Sequence, residues 1–255
     1  MTDFSHPTQV SWGWMEAAAQ DDGWVFEQKV DGKRAFMEVF GDRSVLLGRN
    51  GPLTVVDGPW CALGRGGNLN NTLDGELLGA VYWVFDVVSP LSWKLRHSLL
   101  VSLLRDSDSH NVRILPTYRG TEQKRHLLEL VRRDGLEGVV AKRYEGGYPK
   151  GRTLSWRKAK LYGTGSAVVM VVGVDGKENV LLGAVTGDPI KIVPVCHAAT
   201  RGQTYRVGDV VQVRYLYMSN GNRLVQPVLL GVSDVSWEDC GLDQFRRVNK
   251  DVNDD

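Results

Sequence analysis

Cysteine is scarce. Cys61, Cys196 and Cys240 are the three in 255 residues, and they stand far apart. With an odd number and no CxxC pair, neither a disulfide framework nor a four-ligand zinc site is expected. That usage suits a reducing compartment. An excess of one charge is lacking too. Thirty-one Lys and Arg against 30 Asp and Glu leave a formal net charge of +1. Any affinity for phosphates therefore has to come from local clustering. Long apolar runs are absent; the best, AVVMVVGV at 167–174, is the length of a buried strand, so no membrane partner is expected. The opening MTDFSHPTQ has no basic head followed by an apolar stretch, so no secretory signal is expected.

What is present is an ordinary globular mixture, 42% hydrophobic and 24% charged, long enough for two domains. Residues 11–20 read as a short helix with Ser11 as N-cap and Gly23 as stop. Strands follow at 24–30, 33–40 and 44–48, then a Gly- and Asn-rich loop at 58–71 and strands at 73–78 and 80–88. Leucines 95, 99, 100, 103 and 104 predict a helix over 92–105, with Pro90 just ahead. A second follows over 121–133, with Thr121 as cap and Gly135 as stop. Strand 137–143 comes next. Composition changes near Gly163. Beyond it, strands at 167–174, 179–186, 190–195, 209–218 and 223–232 are joined by Asp-Gly and Asn-Gly turns. Five short strands predict a small barrel of the OB type. The fold class is thus α+β: antiparallel sheets with flanking helices over 1–162, then an all-β barrel over 163–255.

Six short stretches hold charges that are open to a structural or a functional reading, solvated turns and paired strand residues on one side and a site on the other. The octet EQKVDGKR at 27–34 reads as a hairpin turn, yet it carries Glu27, Lys29 and Arg34. A nucleophilic lysine needs burial or nearby cations to lose its proton. Arg49-Asn-Gly ends a strand. Glu76 lies in LDGELLG and Asp86 in VYWVFDVV, both among apolar residues that demand a partner or a ligand. Glu137 opens LEGVVAKR. Lys158 and Lys160, two apart, share one strand face and repel unless an anion lies between them. Between 142 and 160 stand Lys142, Arg143, Lys150, Arg152, Arg157, Lys158 and Lys160 against the single acid Glu145, interleaved with Tyr144, Tyr148 and Trp156. That mixture suits a nucleic-acid backbone or a nucleotide.

In this order the stretches resemble the covalent nucleotidyltransferase superfamily, and within it the ATP-dependent DNA ligases: Lys29-Val-Asp-Gly, Arg49-Asn-Gly, Asp74-Gly-Glu76, Phe85-Asp86, Glu137-Gly-Val-Val and Lys158-Ala-Lys160. The resemblance spans most of the chain and implies a nucleotidyltransferase domain followed by an OB-fold. It implies that Lys29 attacks the α-phosphate of ATP and forms a lysyl–AMP. The AMP then passes to the 5′-phosphate of nicked duplex DNA, and the 3′-hydroxyl seals the strand. Glu27 would recognise adenine, Phe85 would stack on it, and Glu76 with Arg49 would hold the ribose. Arg34, Arg152, Lys158 and Lys160 would neutralise phosphates. Glu76 and Glu137 would serve Mg²⁺ or Mn²⁺, and Lys142, Arg143, Lys150 and Arg157 would face DNA. A monomer in the cytoplasm of a bacterium or phage-infected cell is implied, acting in repair, replication or recombination. An RNA ligase, an mRNA-capping guanylyltransferase and a catalytically weak nucleic-acid-binding homologue are the alternatives. One departure stands out. In the last ligase motif, Asn249 replaces the expected arginine and Val252 the expected lysine, with Arg246, Arg247 and Lys250 as substitutes. No DNA-binding domain fits before residue 24, and strands 209–218 and 223–232 leave no room for a long insertion.

Overall fold

The structure, a computed structural model, describes residues 4–40, 43–56, 72–105, 111–187 and 190–247. The expected loop at 58–71 with Cys61, and the last-motif positions Val248, Asn249, Lys250, Asp251 and Val252, lie outside the described residues. The chain divides into two compact units: Met1–Val131 with Leu136–Ala159, and Lys160–Asp255 with Arg132–Gly135.

The first unit holds two sheets and three helices. In chain order these are β1 (Ser5–Gln9), α1 (Trp12–Ala18), β2 (Trp24–Gln28), β3 (Lys33–Phe40), β4 (Arg43–Gly48), β5 (Gly51–Val56), β6 (Leu73–Leu78), β7 (Val81–Val87), α2 (Trp93–Leu104), β8 (Val112–Ile114), β9 (Thr117–Tyr118), α3 (Thr121–Arg133), β10 (Gly138–Arg143) and β11 (Gly151–Lys160). One sheet runs β1-β11-β10-β2-β9 and the other β5-β4-β3-β6-β7-β8. Both are mostly antiparallel, but β1 pairs with β11, and β7 with β8, in parallel.

The expected β2–β3 hairpin is overturned. The two strands belong to different sheets, because β2 is flanked on both edges by β10 and β9. Trp24, Val25, Phe26 and Glu27 are all buried, as befits an inner strand covered on both faces. Lys29-Val-Asp-Gly is therefore a crossing between sheets. Gly32 is required there by closeness: a Cβ would meet the Leu77 carbonyl oxygen at 2.5 Å and Glu76 Cγ at 2.9 Å.

Ser11 caps α1 by accepting from the Trp14 N–H at 3.2 Å, and Trp14 meets Trp24 edge-on at 5.1 Å. Helix α2 packs Leu100 with Met37, Leu46, Tyr82 and Val84 of the second sheet. Leu95 points out, 51% exposed. Thr121 is the first residue of α3 rather than its cap; Gly120, at φ +79°, makes the turn before it. Strands β1, β5, β8 and β9 lack clear alternation in the sequence and were not expected. No described helix is long and apolar enough to cross a membrane.

The second unit is a five-stranded antiparallel sheet. Its strands are β12 (Gly163–Val172), β13 (Asn179–Thr186), β14 (Lys191–Ala199), β15 (Val210–Tyr215) and β16 (Val228–Val232), in the order β14-β13-β12-β15-β16. Where a closed barrel was expected, no ladder joins β14 to β16 among the described residues. Alternating residues of β15 point inward, and Val169, Leu182, Val195, Val213, Tyr215 and Phe245 share one core. Arg246 donates to the carbonyls of Leu161 and Leu216, and Arg247 to Asn222 Oδ1 at 2.6 Å.

Candidate active site

One cavity of the first unit gathers residues from nearly every stretch singled out in the sequence. Glu27, Lys29, Arg34, Arg49, Glu76, Phe85 and Lys158 line it, joined by His6, Lys142 and Trp156. Its volume is about 190 Å³, below the roughly 300–1,000 Å³ usual for small-molecule sites.

The Lys29 ammonium donates to Glu137 Oε2 at 2.6 Å. Its backbone N–H donates to the Gly138 carbonyl at 2.9 Å. Two bonds thus pin the β2–β3 crossing onto the start of β10. Glu76 faces Arg34 across the β3–β6 ladder. Burial pushes its carboxyl up to about 7, against the opposing pull of Lys29 and Arg34; Glu137 and Asp74 raise it further. Two carboxylates beside one ammonium are the hard oxygen donors that Mg²⁺ or Mn²⁺ accepts alongside phosphate. Among the described residues, no three His, Cys, Asp or Glu side chains converge as a metal site.

Arg34 is fixed on the cavity wall. It forms a two-pronged pair with Asp74 (Nε–Oδ1 3.0 Å, Nη2–Oδ2 2.6 Å) and donates to the Ser5 carbonyl. The Tyr148 hydroxyl donates to the same Asp74 at 2.7 Å. The guanidinium lies 5.4 Å from the Phe85 ring centroid and 5.9 Å from that of Trp156. Those two rings meet nearly at right angles, 6.4 Å apart, and form an aromatic corner.

His6 brings β1 into the site, opposite Arg152 in the β1–β11 register. Burial first, then Arg34, Arg49, Lys158 and Arg152, holds its imidazole below the ordinary value. An imidazole facing four cations marks a place with a standing positive potential. No sequence pattern marks His6, which sits in a short strand without alternation. Asp74 and Trp156 were visible but carried no assigned role.

The basic segment divides. Lys158 lines the cavity. Lys142, expected to face DNA, does not: it is 1% exposed and its ammonium is held by Glu27 and Asp86. Strand alternation turns it inward from its neighbour Arg143, which is exposed over the Trp24 ring at 4.1 Å. Arg157 lies over Trp14 of α1, on the face of β11 opposite Lys158. Lys150 and Arg152 are exposed. Lys160 belongs to the second unit and donates to Gln226 Oε1 at 3.0 Å.

No protein-family model matches the sequence, and no curated protein matches it. Solved structures do match in fold. A Lig E DNA ligase, described as binding DNA with a minimal scaffold, aligns at TM-score 0.67 and 18% identity over 91% of this chain and 100% of that one. A mycobacterial DNA ligase D complexed with ATP and MES aligns at 0.51 and 20%, over 93% and 97%. The ATP-dependent DNA ligase of bacteriophage T7 in complex with ATP aligns at 0.51 and 15%, over 91% and 98%. At these identities the likeness establishes the fold, which is that of ATP-dependent DNA ligases.

Proposed function

From that fold, we propose that the chain is an ATP-dependent DNA ligase that seals nicks in duplex DNA through a lysyl–AMP. The observation that carries the reading is Lys29 at the cavity wall, 2.6 Å from Glu137, in a cavity also lined by the aromatic corner of Phe85 and Trp156 and by the cations Arg34, Arg49 and Lys158. A purine fits against aromatic faces. Phosphates fit the cations, and an amine lining the same cavity supplies a nucleophile for the α-phosphorus.

Lys29 Nζ attacks that phosphorus in line, the P–N bond forms, and pyrophosphate leaves with the electron pair of the broken P–O bond. The proton that Lys29 sheds has a waiting acceptor in Glu137. Arg34, held by Asp74 at no cost in freedom, stabilises the charge that develops on phosphate oxygens. Arg49 and Glu76 hold the ribose. Mg²⁺ or Mn²⁺ would be held by Glu76 and Glu137 and would neutralise phosphate charge. The DNA 5′-phosphate then takes AMP from Lys29, and the 3′-hydroxyl displaces it. We read the second unit as an OB-type module that helps hold the nick, together with Arg143, Lys150 and Arg152.

Incubation with Mg²⁺ and α-labelled ATP tests this. Wild type should carry the label on Lys29, and Lys29→Ala should carry none. The labelled protein should seal a nicked duplex. Label retained in Lys29→Ala ends the mechanism, and GTP labelling in place of ATP points to the capping reaction.

A further inference from the structure

Lys142 is buried in the wall of the cavity, and nothing in the proposed reaction uses it. An ammonium has three N–H donors, and three oxygens take them here. These are Glu27 Oε2 at 2.8 Å, the Phe85 carbonyl at 2.8 Å and Asp86 Oδ2 at 3.3 Å. The same ammonium lies 4.6 Å from the Phe85 centroid and 4.4 Å from that of Trp156. Asp86 is held in turn by buried Arg96 (Nε–Oδ1 2.6 Å, Nη2–Oδ2 3.2 Å). Lys142 thus ties both walls of the aromatic corner to two carboxylates, Glu27 and Asp86. Glu27 lines the cavity, 2% exposed. Its Oε2 is used, while no donor lies within hydrogen-bond distance of the buried Oε1, and the Trp93 indole N–H is a weaker neighbour of the carboxylate. A buried acceptor left open is costly unless something completes it.

We propose that Lys142 is a positioning residue for the nucleobase: it fixes Glu27 so that Oε1 accepts from the 6-amino group of a purine and rejects a 6-oxo purine. This rests on reading the cavity as a nucleotide site, and not on nick sealing. A 6-amino group donates into the open acceptor. A 6-oxo group sets a second acceptor against it and leaves both unpaired. Lys142 from β10, Asp86 from β7 and the Trp93 indole from α2 face Glu27. Burial outweighs the pull of Lys142 and pushes the carboxyl up to about 7. Below that pH the neutral carboxyl gains an O–H that can serve a 6-oxo group. Above it, only acceptance remains. Discrimination therefore rises with pH through about 7.

Calorimetric binding of AMP and IMP to the full chain at pH 6 and pH 8 reads this directly, since the two differ only along one edge of the purine, in the 6-substituent and in N1, an acceptor in AMP and an N–H donor in IMP. Neither monophosphate can adenylylate Lys29. Wild type should favour AMP by about tenfold or more at pH 8, and by less at pH 6. Lys142→Met should lose most of that preference, Lys142→Arg should restore part of it, and Glu27→Gln should remove its pH dependence. A Lys142→Met protein that melts like wild type and keeps the full preference overturns the proposal. So does a wild type that binds both equally, or neither. Should Lys142→Met not fold, the near-isosteric Glu27→Gln decides, and an unchanged preference and pH profile there refutes the idea. AMP preference without labelling of Lys29 would strike the ligase reading alone.

Discussion

At the scale of single residues, the site depends on acids that burial keeps close to neutral. The carboxyls of Glu27 and Glu76 are both raised from 4.5 to about 7. The folded chain then holds protons that the unfolded chain releases between those values. Their contribution to stability is complete below about pH 4.5 and is lost as pH rises through about 7. Thermal unfolding followed from pH 5 to 8.5 should show Glu76→Gln losing less stability than wild type between about pH 5 and 7, with the two curves running parallel above that. Identical slopes would contradict the raised carboxyl. Asp74 is the opposite case, a buried acid fully engaged by Arg34 and Tyr148. Asp74→Ala leaves the Arg34 charge without its partner and should cost about 3–5 kcal/mol. Denaturant midpoints measure this, and a loss under about 1 kcal/mol would show the pair to be solvent-screened.

At the scale of elements, most of the site was legible because each motif is short and its chemistry demands particular side chains. Lys29, Arg34, Arg49, Glu76, Phe85 and Lys158 converge on one cavity although up to 129 positions separate them, from Lys29 to Lys158. What failed was pairing. Alternation in WVFEQKV and RAFMEVF identifies strands, but not which neighbours complete their ladders. A Glu among buried residues in β2 was the hint that both faces are covered. The basic segment failed for a related reason. Read as one surface, it in fact sends alternate residues of β10 and β11 to opposite faces, so Lys142 and Arg157 go different ways from Arg143 and Lys158. His6 had no signal at all, since five residues of β1 gain their place only by pairing with β11. Gly32 offers a test at this scale. Gly32→Ala drives a methyl into the backbone of β6, and overpacking of that kind costs about 1–3 kcal/mol. Since Lys29 rides on the same crossing, labelling by ATP should slow along with the loss of stability. A variant that labels at the wild-type rate would mean that the two sheets can part there without moving the lysine.

At the scale of the whole molecule, a net charge of +1 gives no general attraction to a polyanion. Attraction has to come from local groups such as Arg143, Lys150 and Arg152. Binding of a nicked duplex should therefore weaken steeply with salt, by roughly tenfold or more between 50 and 200 mM, as counterions compete for those few contacts. Affinity that stays flat over that range would argue against phosphate contacts as the basis of binding. The backbone bond from the Lys29 N–H to the Gly138 carbonyl has a consequence of another kind. It gives Lys29 a hydrogen-bonded amide like those of a strand interior, although its side chain reaches a cavity. Deuterium should enter that amide slowly while β2 and β10 stay together, and quickly once they separate. The exchange rate of one N–H would thus report, without any label or substrate, how often Lys29 leaves its post.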